Sequence, residues 1–455
     1  MKMKPLSLEK IAEITGGKYI GPESEKETLI TGVVRDNRQV EKGNMFLCIK
    51  GERVDGHSFA PAAFAAGAAC CLCDHELTDP AGPYILVPST LQALKDVAKY
   101  YRSLFAIPFV GVTGSVGKTT AKEMVAAVLG EKYSVLKTAE NLNNEIGVPL
   151  TLLSLREEHE AAVVEMGINS FGEMSRLANM VRPDICLMTS IGYCHLENLG
   201  DLNGVLRAKS EVYGYMPKTG IAVVNGDNDL LRDFDPGVRK IMFGLEKHND
   251  YIAENIENCG FDGITCSIKT PNSVISAAIP AFGIHMALAA LAAAAIGREL
   301  GVSDEEIREG LKKYAPVGGR ANVKDTGRFT VINDCYNANP NSMFASLTSL
   351  CSVKGERVAI LGDMGELGDN KEKLHFSVGE KAGQLGLDTL IACGTLSKNT
   401  YDGYISACGK NGIYFETKEE LFEKLPELIK DGQTILVKAS HSGHFEEIVE
   451  KLEQL

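Results

Sequence analysis

The chain has 455 residues, of which 44% are hydrophobic, 24% are charged and 46 are glycine. This composition is typical of a soluble α/β protein of roughly two to four domains, and it excludes a disordered or fibrous chain. The net charge of −13 argues against a general surface for nucleic acid or anionic membrane, because neither is attracted to an acidic field.

The first residues, 1–17, are charged and are predicted to form a short amphipathic helix that lacks the apolar core of a signal peptide. The weakly apolar run 284–296 is too short to span a bilayer. We therefore expect a cytoplasmic protein without membrane insertion, in which the twelve cysteines are free thiols. The one C-x-x-C motif, residues 70–73, has no second pair at ligand spacing. We interpret it as a buried strand rather than a metal or redox site.

Strand-like apolar runs alternate with helical segments in three blocks, a pattern that predicts parallel sheets with helices on their faces. Pro108 and the Pro/Gly stretch at residues 314–320 mark the boundaries. We expect domains at residues 1–106, 107–315 and 316–455. The predicted strands are 45–49, 69–73 and 84–87 in the first block, 109–112, 161–164, 184–188 and 221–224 in the second, and 329–332, 358–361, 389–392 and 434–437 in the third.

A glycine-rich loop follows the strand at 109–112, and apolar residues at helical spacing predict a helix from about Lys118. The long phosphate-loop pattern G-x-x-x-x-G-K-[ST] would require glycine where Val112 stands. The loop nevertheless lies between a strand and a helix N-terminus, where backbone N–H groups and the helix dipole attract phosphate. The alternative is a glycine-rich turn with a surface lysine. The predicted ATP-binding residues are Gly114, Ser115, Val116, Gly117, Lys118, Thr119 and Thr120, with Lys118 neutralising phosphate charge and Thr119 a ligand of Mg²⁺.

Three further residues follow strands of the same block. Glu165 ends an apolar run and would suit Mg²⁺, which takes one or two carboxylates. His195 lies in the loop after the strand at 184–188, at the sheet edge where ligands bind in open α/β folds. From the residues alone, His195 fits the commoner alternative of a packing or surface histidine, and Lys209 that of an ordinary helix lysine.

Taken together, these motifs resemble the Mur ligase family, the ATP-dependent amide-forming enzymes of peptidoglycan precursor synthesis. The family uses the shorter loop pattern T-G-x-x-G-K-[ST]-T, which residues 113–120 match at every position. The resemblance covers essentially the whole chain and points to the members that join D-alanyl-D-alanine to a UDP-muramyl-tripeptide. The segments that point to these members are 143–149 (NNEIGVP), 165–167 (EMG), 195–197 (HLE), 334–342 (DCYNANPNS) and 361–368 (LGDMGELG), and the most specific runs among them are 336–340 (YNANP) and 361–364 (LGDM).

The resemblance implies a fold, cofactors and residue roles. The fold would have three α/β domains, with a central parallel-sheet ATPase domain and a Rossmann-like C-terminal domain. The cofactors would be ATP and Mg²⁺, the substrates small molecules, and the protein a monomer. The implied roles are Mg²⁺ binding by Glu165 and His195, carbamylation of Lys209 to help hold a second Mg²⁺, closure over the nucleotide by Arg320, Asp334 and Asn337, and substrate contacts by Arg35, Asp36, Arg38, Asn143, Asn144, Tyr336 and Asn339.

The sequence departs from the family pattern at two places, and three other functions compete with this interpretation. The family commonly has His-Asn where this chain has His285-Met286, and Lys-Gly-Ser-Arg where residues 438–444 carry His441 and His444. A metal site at that histidine pair is an alternative to an exposed polar loop. The competing functions are a folylpolyglutamate-synthase-like ligase, a nucleotide-hydrolysing switch protein and a catalytically silent nucleotide binder.

Overall fold

The computed structural model of the protein describes residues 3–51, 54–408 and 411–455. Three α/β units follow one another along the chain, so the fold class predicted from the sequence is confirmed. The helix expected in residues 1–17 forms at Leu8–Thr15, and residues 1 and 2 lie outside the described part. In the described part, none of the helices is both long and apolar enough to cross a membrane.

The N-terminal unit is built on a five-stranded sheet of order β2-β7-β6-β5-β4, in which only the β2–β7 pair is antiparallel. A separate antiparallel pair, β1–β3, packs beside it. The elements are β1 Leu6–Ser7, α1 Leu8–Thr15, β2 Lys18–Ile20, β3 Leu29–Ile30, β4 Gly32–Val34, β5 Asn44–Leu47, α2 Ala60–Ala65, β6 Cys70–Cys73, β7 Tyr84–Leu86 and α3 Thr90–Ser103.

The central unit has a nine-stranded sheet of order β16-β15-β14-β13-β12-β11-β8-β10-β9, parallel from β9 to β14 and antiparallel at the β14–β16 edge. Its strands are β8 Phe109–Thr113, β9 Val135–Lys137, β10 Ala161–Glu165, β11 Ile185–Met188, β12 Ile221–Asn225, β13 Arg239–Gly244, β14 Tyr251–Asn258, β15 Ile264–Lys269 and β16 Val274–Ile279. Its helices are α4 Lys118–Leu129, α5 Gly147–Leu153, α6 Glu173–Val181, α7 Leu196–Leu199, α8 Leu202–Ser210, α9 Asp229–Asp233, α10 Met286–Glu299 and α11 Asp304–Lys312.

The C-terminal unit has a six-stranded sheet of order β17-β18-β22-β19-β20-β21, in which only the β17–β18 pair is antiparallel. Its elements are β17 Asn322–Asp325, β18 Thr330–Asn333, α12 Pro340–Cys351, β19 Arg357–Gly362, α13 Lys371–Gln384, β20 Thr389–Cys393, α14 Ser397–Cys408, β21 Gly412–Phe415, α15 Lys418–Leu428, β22 Thr434–Lys438 and α16 Glu446–Glu453.

Strand β8 is buried on both faces because helices cover both sides of the central sheet. Phe109 packs into a core that continues into the N-terminal unit, whereas Val110 and Val112 belong to the core beneath α4 and α10. Burial on both faces explains why β8 is a continuous apolar run rather than an alternating one. The strand ends at the phosphate loop, so the buried sheet gives that loop a rigid support.

Candidate active site

The glycine-rich loop connects the carboxyl end of β8 to the first residue of α4. Gly114 has a φ of 141°, and a Cβ added there would lie 2.0 Å from Thr189 Oγ1. Gly117 adopts the left-handed conformation and caps α4 without a side-chain hydrogen bond. The N–H groups of the first helical turn therefore have no capping side chain and can bind an anion.

The end of the neighbouring strand β11 holds this loop in place. Thr189 Oγ1 donates a hydrogen bond to the Val116 carbonyl at 2.6 Å. The Ser115 N–H donates to the Ser190 carbonyl at 2.8 Å, and the Val116 N–H to Ser190 Oγ at 3.2 Å. The Lys118 ammonium folds back onto the Gly114 carbonyl at 2.9 Å. The loop conformation is thus fixed by the protein itself.

Glu165 ends β10 directly beside β8 and faces the start of α4. Its carboxylate is 1% exposed and accepts hydrogen bonds from Thr119 Oγ1 at 2.9 Å and Asn143 Nδ2 at 2.8 Å. A buried carboxylate beside a hydroxyl offers the oxygen ligands that Mg²⁺ prefers. These residues therefore fit a hard divalent cation next to the phosphate loop.

Lys122, one turn after Lys118, is a site residue that sequence analysis missed. It is fully buried, and its ammonium lies 2.7 Å from the Thr138 carbonyl, 2.9 Å from Glu123 and 3.9 Å from Glu165. Burial alone would raise the pKa of Glu123, but hydrogen bonds from Lys137 and Lys122 lower it instead. No sequence signal distinguishes a buried helix lysine from an exposed one. Only the fold therefore shows that Lys122 is a buried cation beside Glu123 and Glu165.

Lys209, on α8, is 1% exposed, and its ammonium makes no hydrogen bond with the residues that the structure describes. Burial lowers its pKa from 10.5 to about 8, with a smaller contribution from the nearby charge of Lys118. Lys209 and Gly114 are the predicted central-unit site residues that do not line the cavity described below.

His195 lies at the contact between the central and C-terminal units. Its Nδ1 is 2.5 Å from Glu366 Oε2, and the Leu196 N–H donates to the Glu366 carbonyl at 3.0 Å. The His195 imidazole lowers the pKa of the Glu366 carboxyl below its usual value. The segment 361–368 of the C-terminal unit therefore docks directly on the loop that carries His195.

The C-terminal unit contributes a charged cluster that faces the phosphate loop. Lys438, at the end of β22, lies 2.6 Å from Asp334 Oδ2 and donates to the Asn337 carbonyl at 3.0 Å. The Arg320 guanidinium lies 3.8 Å from the ring centroid of Tyr336. The prediction named Asp334 and Asn337 but missed Lys438, although a lysine that ends an apolar strand run was a usable signal.

A cavity of about 590 Å³ lies between the phosphate loop and this cluster. Most predicted site residues of the two units line it. The lining residues among them are Ser115, Val116, Gly117, Lys118, Thr119, Thr120, Asn143, Asn144, Glu165, His195, Arg320, Asp334, Tyr336, Asn337 and Asn339. The predicted Arg35, Asp36 and Arg38 lie in the N-terminal unit instead, where hydrogen bonds from Arg38 lower the pKa of Asp36 to about 2.

Both departures from the family pattern lie near this cavity. His285 and Met286 line it, and His285 Nδ1 is 3.3 Å from Ser349 Oγ of the C-terminal unit. The His441 ring stacks on Tyr336 with centroids 5.9 Å apart, while His444 contacts Glu446. Among the described residues, this histidine pair is not part of any group of three potential metal ligands.

Comparison with known proteins matches each of the three units. A model described as "Mur ligase family, catalytic domain" matches residues 29–102, "Mur ligase middle domain" matches 112–297 and "Mur ligase, glutamate ligase domain" matches 319–441. The UDP-N-acetylmuramoyl-tripeptide–D-alanyl-D-alanine ligase of Bacillus subtilis (strain 168) is 36% identical over 452 residues, 98% of each chain. The chain belongs to the Mur ligase family. The predicted family is therefore confirmed.

Other relatives of this Mur ligase agree over the full length. The UDP-N-acetylmuramoyl-tripeptide–D-alanyl-D-alanine ligase of Escherichia coli (strain K12) is 36% identical and aligns over 99% of both chains. The crystal structure of MurF from Acinetobacter baumannii covers 100% of both chains with a TM-score of 0.92 and 32% identity. MurF from Thermotoga maritima in complex with ADP has a TM-score of 0.82 at 27% identity, covering 93% of this chain and 97% of that one.

Proposed function

We propose that this Mur ligase joins D-alanyl-D-alanine to UDP-N-acetylmuramoyl-tripeptide, with conversion of ATP to ADP and phosphate. The observation that carries the proposal is the cavity that brings the phosphate loop opposite the Asp334–Lys438 pair. Full-length similarity to ligases named for this reaction supports the choice of substrates. The cavity is lined by residues of two units of one chain, which supports a monomer, and nucleotide-linked substrates favour action in the cytoplasm.

The chemistry begins with a carboxylate that is a poor electrophile, because its leaving group would be oxide. Transfer of the ATP γ-phosphoryl group to the tripeptide carboxylate gives an acyl phosphate with a good leaving group. The amine of D-alanyl-D-alanine attacks the acyl carbon, and the tetrahedral intermediate loses phosphate and a proton to give the amide. Lys118 and the N–H groups at the start of α4 would position and neutralise the transferred phosphoryl group.

Thr119, Glu165 and His195 would hold Mg²⁺, which when bound supplies positive charge against the phosphate oxygens. Lys209 would react with CO₂ through its neutral amine, losing one proton to form an anionic carbamate. Its lowered pKa of about 8 supports this step, since a larger neutral fraction is present near neutral pH than for an ordinary lysine. A carbamate would also change an unpartnered buried cation into an anion able to attract a second cation.

We propose domain boundaries at 1–106, 107–315 and 316–455, which is supported by the gaps between α3 and β8 and between α11 and β17. Arg35, Asp36 and Arg38 would contact the uridine end of the substrate. Asn143 and Asn144 in the central unit, and Tyr336 and Asn339 in the C-terminal unit, would contact the peptide parts, since all four line the cavity.

The decisive experiment measures ADP release by the purified protein with each substrate omitted in turn. We expect release only when ATP, the UDP-muramyl-tripeptide and D-alanyl-D-alanine are all present. Equal release without the dipeptide would indicate a nucleotide-hydrolysing switch protein. Release with tetrahydrofolate and glutamate instead would indicate a folylpolyglutamate-synthase-like activity, whose Mycobacterium tuberculosis representative shares the fold at 14% identity and a TM-score of 0.62.

A further inference from the structure

Three potential metal ligands meet inside the N-terminal unit, outside the ATP cavity. Cys48 follows β5, Cys73 ends β6, and His57 lies in the short turn of helix before α2. One ligand atom from each lies within 4.8 Å of the other two, and all three residues are buried. Two thiols and an imidazole buried together form a ligand set that soft or borderline metal ions prefer.

The distances within the cluster suit a tetrahedral ion. The two sulfur atoms of Cys48 and Cys73 are 3.6 Å apart. Two thiolates bound to Zn²⁺ at about 2.3 Å each are separated by about 3.8 Å in a tetrahedron. Binding would therefore require only a small movement of the two side chains.

The histidine of the cluster is already oriented as a metal ligand would be. His57 Nδ1 lies 2.6 Å from Asp55 Oδ1, and the Asp74 N–H points at His57 Nε2 at 3.2 Å. A carboxylate that holds Nδ1 as a donor makes Nε2 the acceptor nitrogen, and a metal ion bound there would displace the Asp74 N–H from its lone pair. Asp74 directly follows Cys73, and its Oδ1 lies 3.2 Å from Nε2.

The topology explains why residues distant in sequence meet here. Strands β4, β5 and β6 are parallel neighbours, so their carboxyl ends lie at one edge of the sheet. Cys48 and Cys73 lie at this edge, and Arg35 follows β4 at the same edge. An ion bound to the cluster would tie the loops beside the predicted uridine-binding segment to the sheet.

We propose that Cys48, Cys73 and His57 form a binding site for a Zn²⁺-class ion, with solvent completing the coordination. Binding converts both thiols to thiolates and releases two protons to solvent. The C-x-x-C motif at 70–73 does not by itself identify this site, because the proposed ligand Cys73 lies beside Cys48 and not beside Cys70. Cys70 lies on the opposite face of β6 in a different core.

The test is titration of the reduced, metal-free, full-length protein with Co²⁺ and then Zn²⁺. We expect one Co²⁺ per chain with a near-ultraviolet thiolate-to-cobalt band, which Zn²⁺ abolishes. Any Co²⁺ bound by oxygen ligands in the ATP cavity gives no such band, so the readout is independent of the ligase reaction. Absence of the band in the wild-type protein would overturn the proposal, whether or not any variant folds.

Variants then locate the ligands. Cys48→Ser and Cys73→Ser should each remove the thiolate band or weaken binding at least about 10-fold, while Cys70→Ser, the matched buried cysteine of the same strand, should leave it unchanged. Asp55→Asn should weaken binding about 10-fold to 100-fold through the orientation of His57. Retention of the wild-type band in both Cys48→Ser and Cys73→Ser would contradict the assignment. A Cys48–Cys73 disulfide, found by mass spectrometry in freshly purified protein that binds no metal, would also contradict the assignment.

Discussion

Three lysines of the central unit differ in what surrounds their ammonium groups, and this difference separates their roles. Lys118 is partly exposed and lines the cavity, Lys122 is buried among hydrogen-bond acceptors, and Lys209 is buried without a hydrogen-bond partner among the described residues. The sequence pattern identifies Lys118 because the loop requires a lysine there. The sequence pattern cannot predict that Lys122 has hydrogen-bond acceptors around its ammonium and that Lys209 does not, since the burial of both depends on the packing of helices far apart in the chain.

Lys118→Ala should lower kcat by at least about 100-fold, because it removes a preorganised charge aimed at the transferred phosphoryl group. The fold should persist, since among the described residues the Lys118 ammonium makes a single hydrogen bond, to the Gly114 carbonyl. Steady-state ADP release and the circular dichroism spectrum check both expectations. Lys132→Ala, at an exposed lysine of the same unit, is the control, and an equal loss in both variants would refute the role of Lys118.

Lys122→Met and Lys209→Met should change stability in opposite directions near pH 7. The first leaves the buried carboxylate of Glu165 without the Lys122 cation, and Glu123 with Lys137 alone, and should lower the free energy of unfolding by about 3 kcal/mol. The second removes an unpartnered buried cation and should raise the free energy of unfolding. Urea unfolding of the full-length proteins in CO₂-free buffer measures both changes.

The effect of Lys209 should also depend on pH. Burial lowers its pKa from 10.5 to about 8, so between these values the unfolded chain binds the extra proton. The wild-type protein should therefore gain about 3 kcal/mol relative to Lys209→Met as pH rises through this window. A difference between the two proteins that stays constant across the window would contradict the lowered pKa.

Among the elements, the segment β8–loop–α4 determines where the nucleotide site lies. Its strand, its helix start and the shorter glycine spacing were all predictable, because each has a local signal in sequence. The strands β13–β16 lie outside the predicted runs. In β16 (VISAAI), buried and exposed residues alternate, yet five of its six residues are apolar, so the sequence lacks the polar–apolar alternation that marks a half-exposed strand.

Gly114→Ala should destabilise this segment and weaken ATP binding far more than a glycine-to-alanine substitution at an open surface position. The added Cβ would lie 2.0 Å from Thr189 Oγ1, at a φ that side chains disfavour. We expect a loss of about 2 kcal/mol in unfolding free energy and at least a 10-fold rise in KM for ATP. Gly214→Ala, where no atom of the described residues lies within 4 Å of the added Cβ, is the control. Wild-type ATP affinity in Gly114→Ala would contradict the loop geometry.

At the scale of the whole molecule, the active site depends on how the central and C-terminal units meet. The Tyr193 N–H donates to Asn341 Oδ1 at 3.1 Å, and Glu366 contacts His195. The family resemblance predicted that the C-terminal unit closes over the nucleotide. The specific contacts could not be predicted, because they join residues of two units whose relative position has no local sequence signal.

Asn341→Ala should lower kcat about 10-fold, because it removes a hydrogen bond that holds the two units around the cavity. Asn258 makes another contact between these units, with Ser352 at 2.8 Å, but does not line the cavity. Asn258→Ala should therefore retain kcat within about 2-fold. Steady-state kinetics compare the two variants, and equal losses would show that closure in general, rather than the Asn341 contact, limits turnover.

Phosphoryl transfer to the substrate carboxylate should precede amide formation in this enzyme. The direct measurement uses a UDP-muramyl-tripeptide whose reactive carboxylate carries oxygen-18, together with ATP and D-alanyl-D-alanine. An acyl phosphate leaves one labelled oxygen in each phosphate released, and mass spectrometry should find that label alongside the new amide. Unlabelled phosphate, with its new oxygen derived from water, would contradict the account.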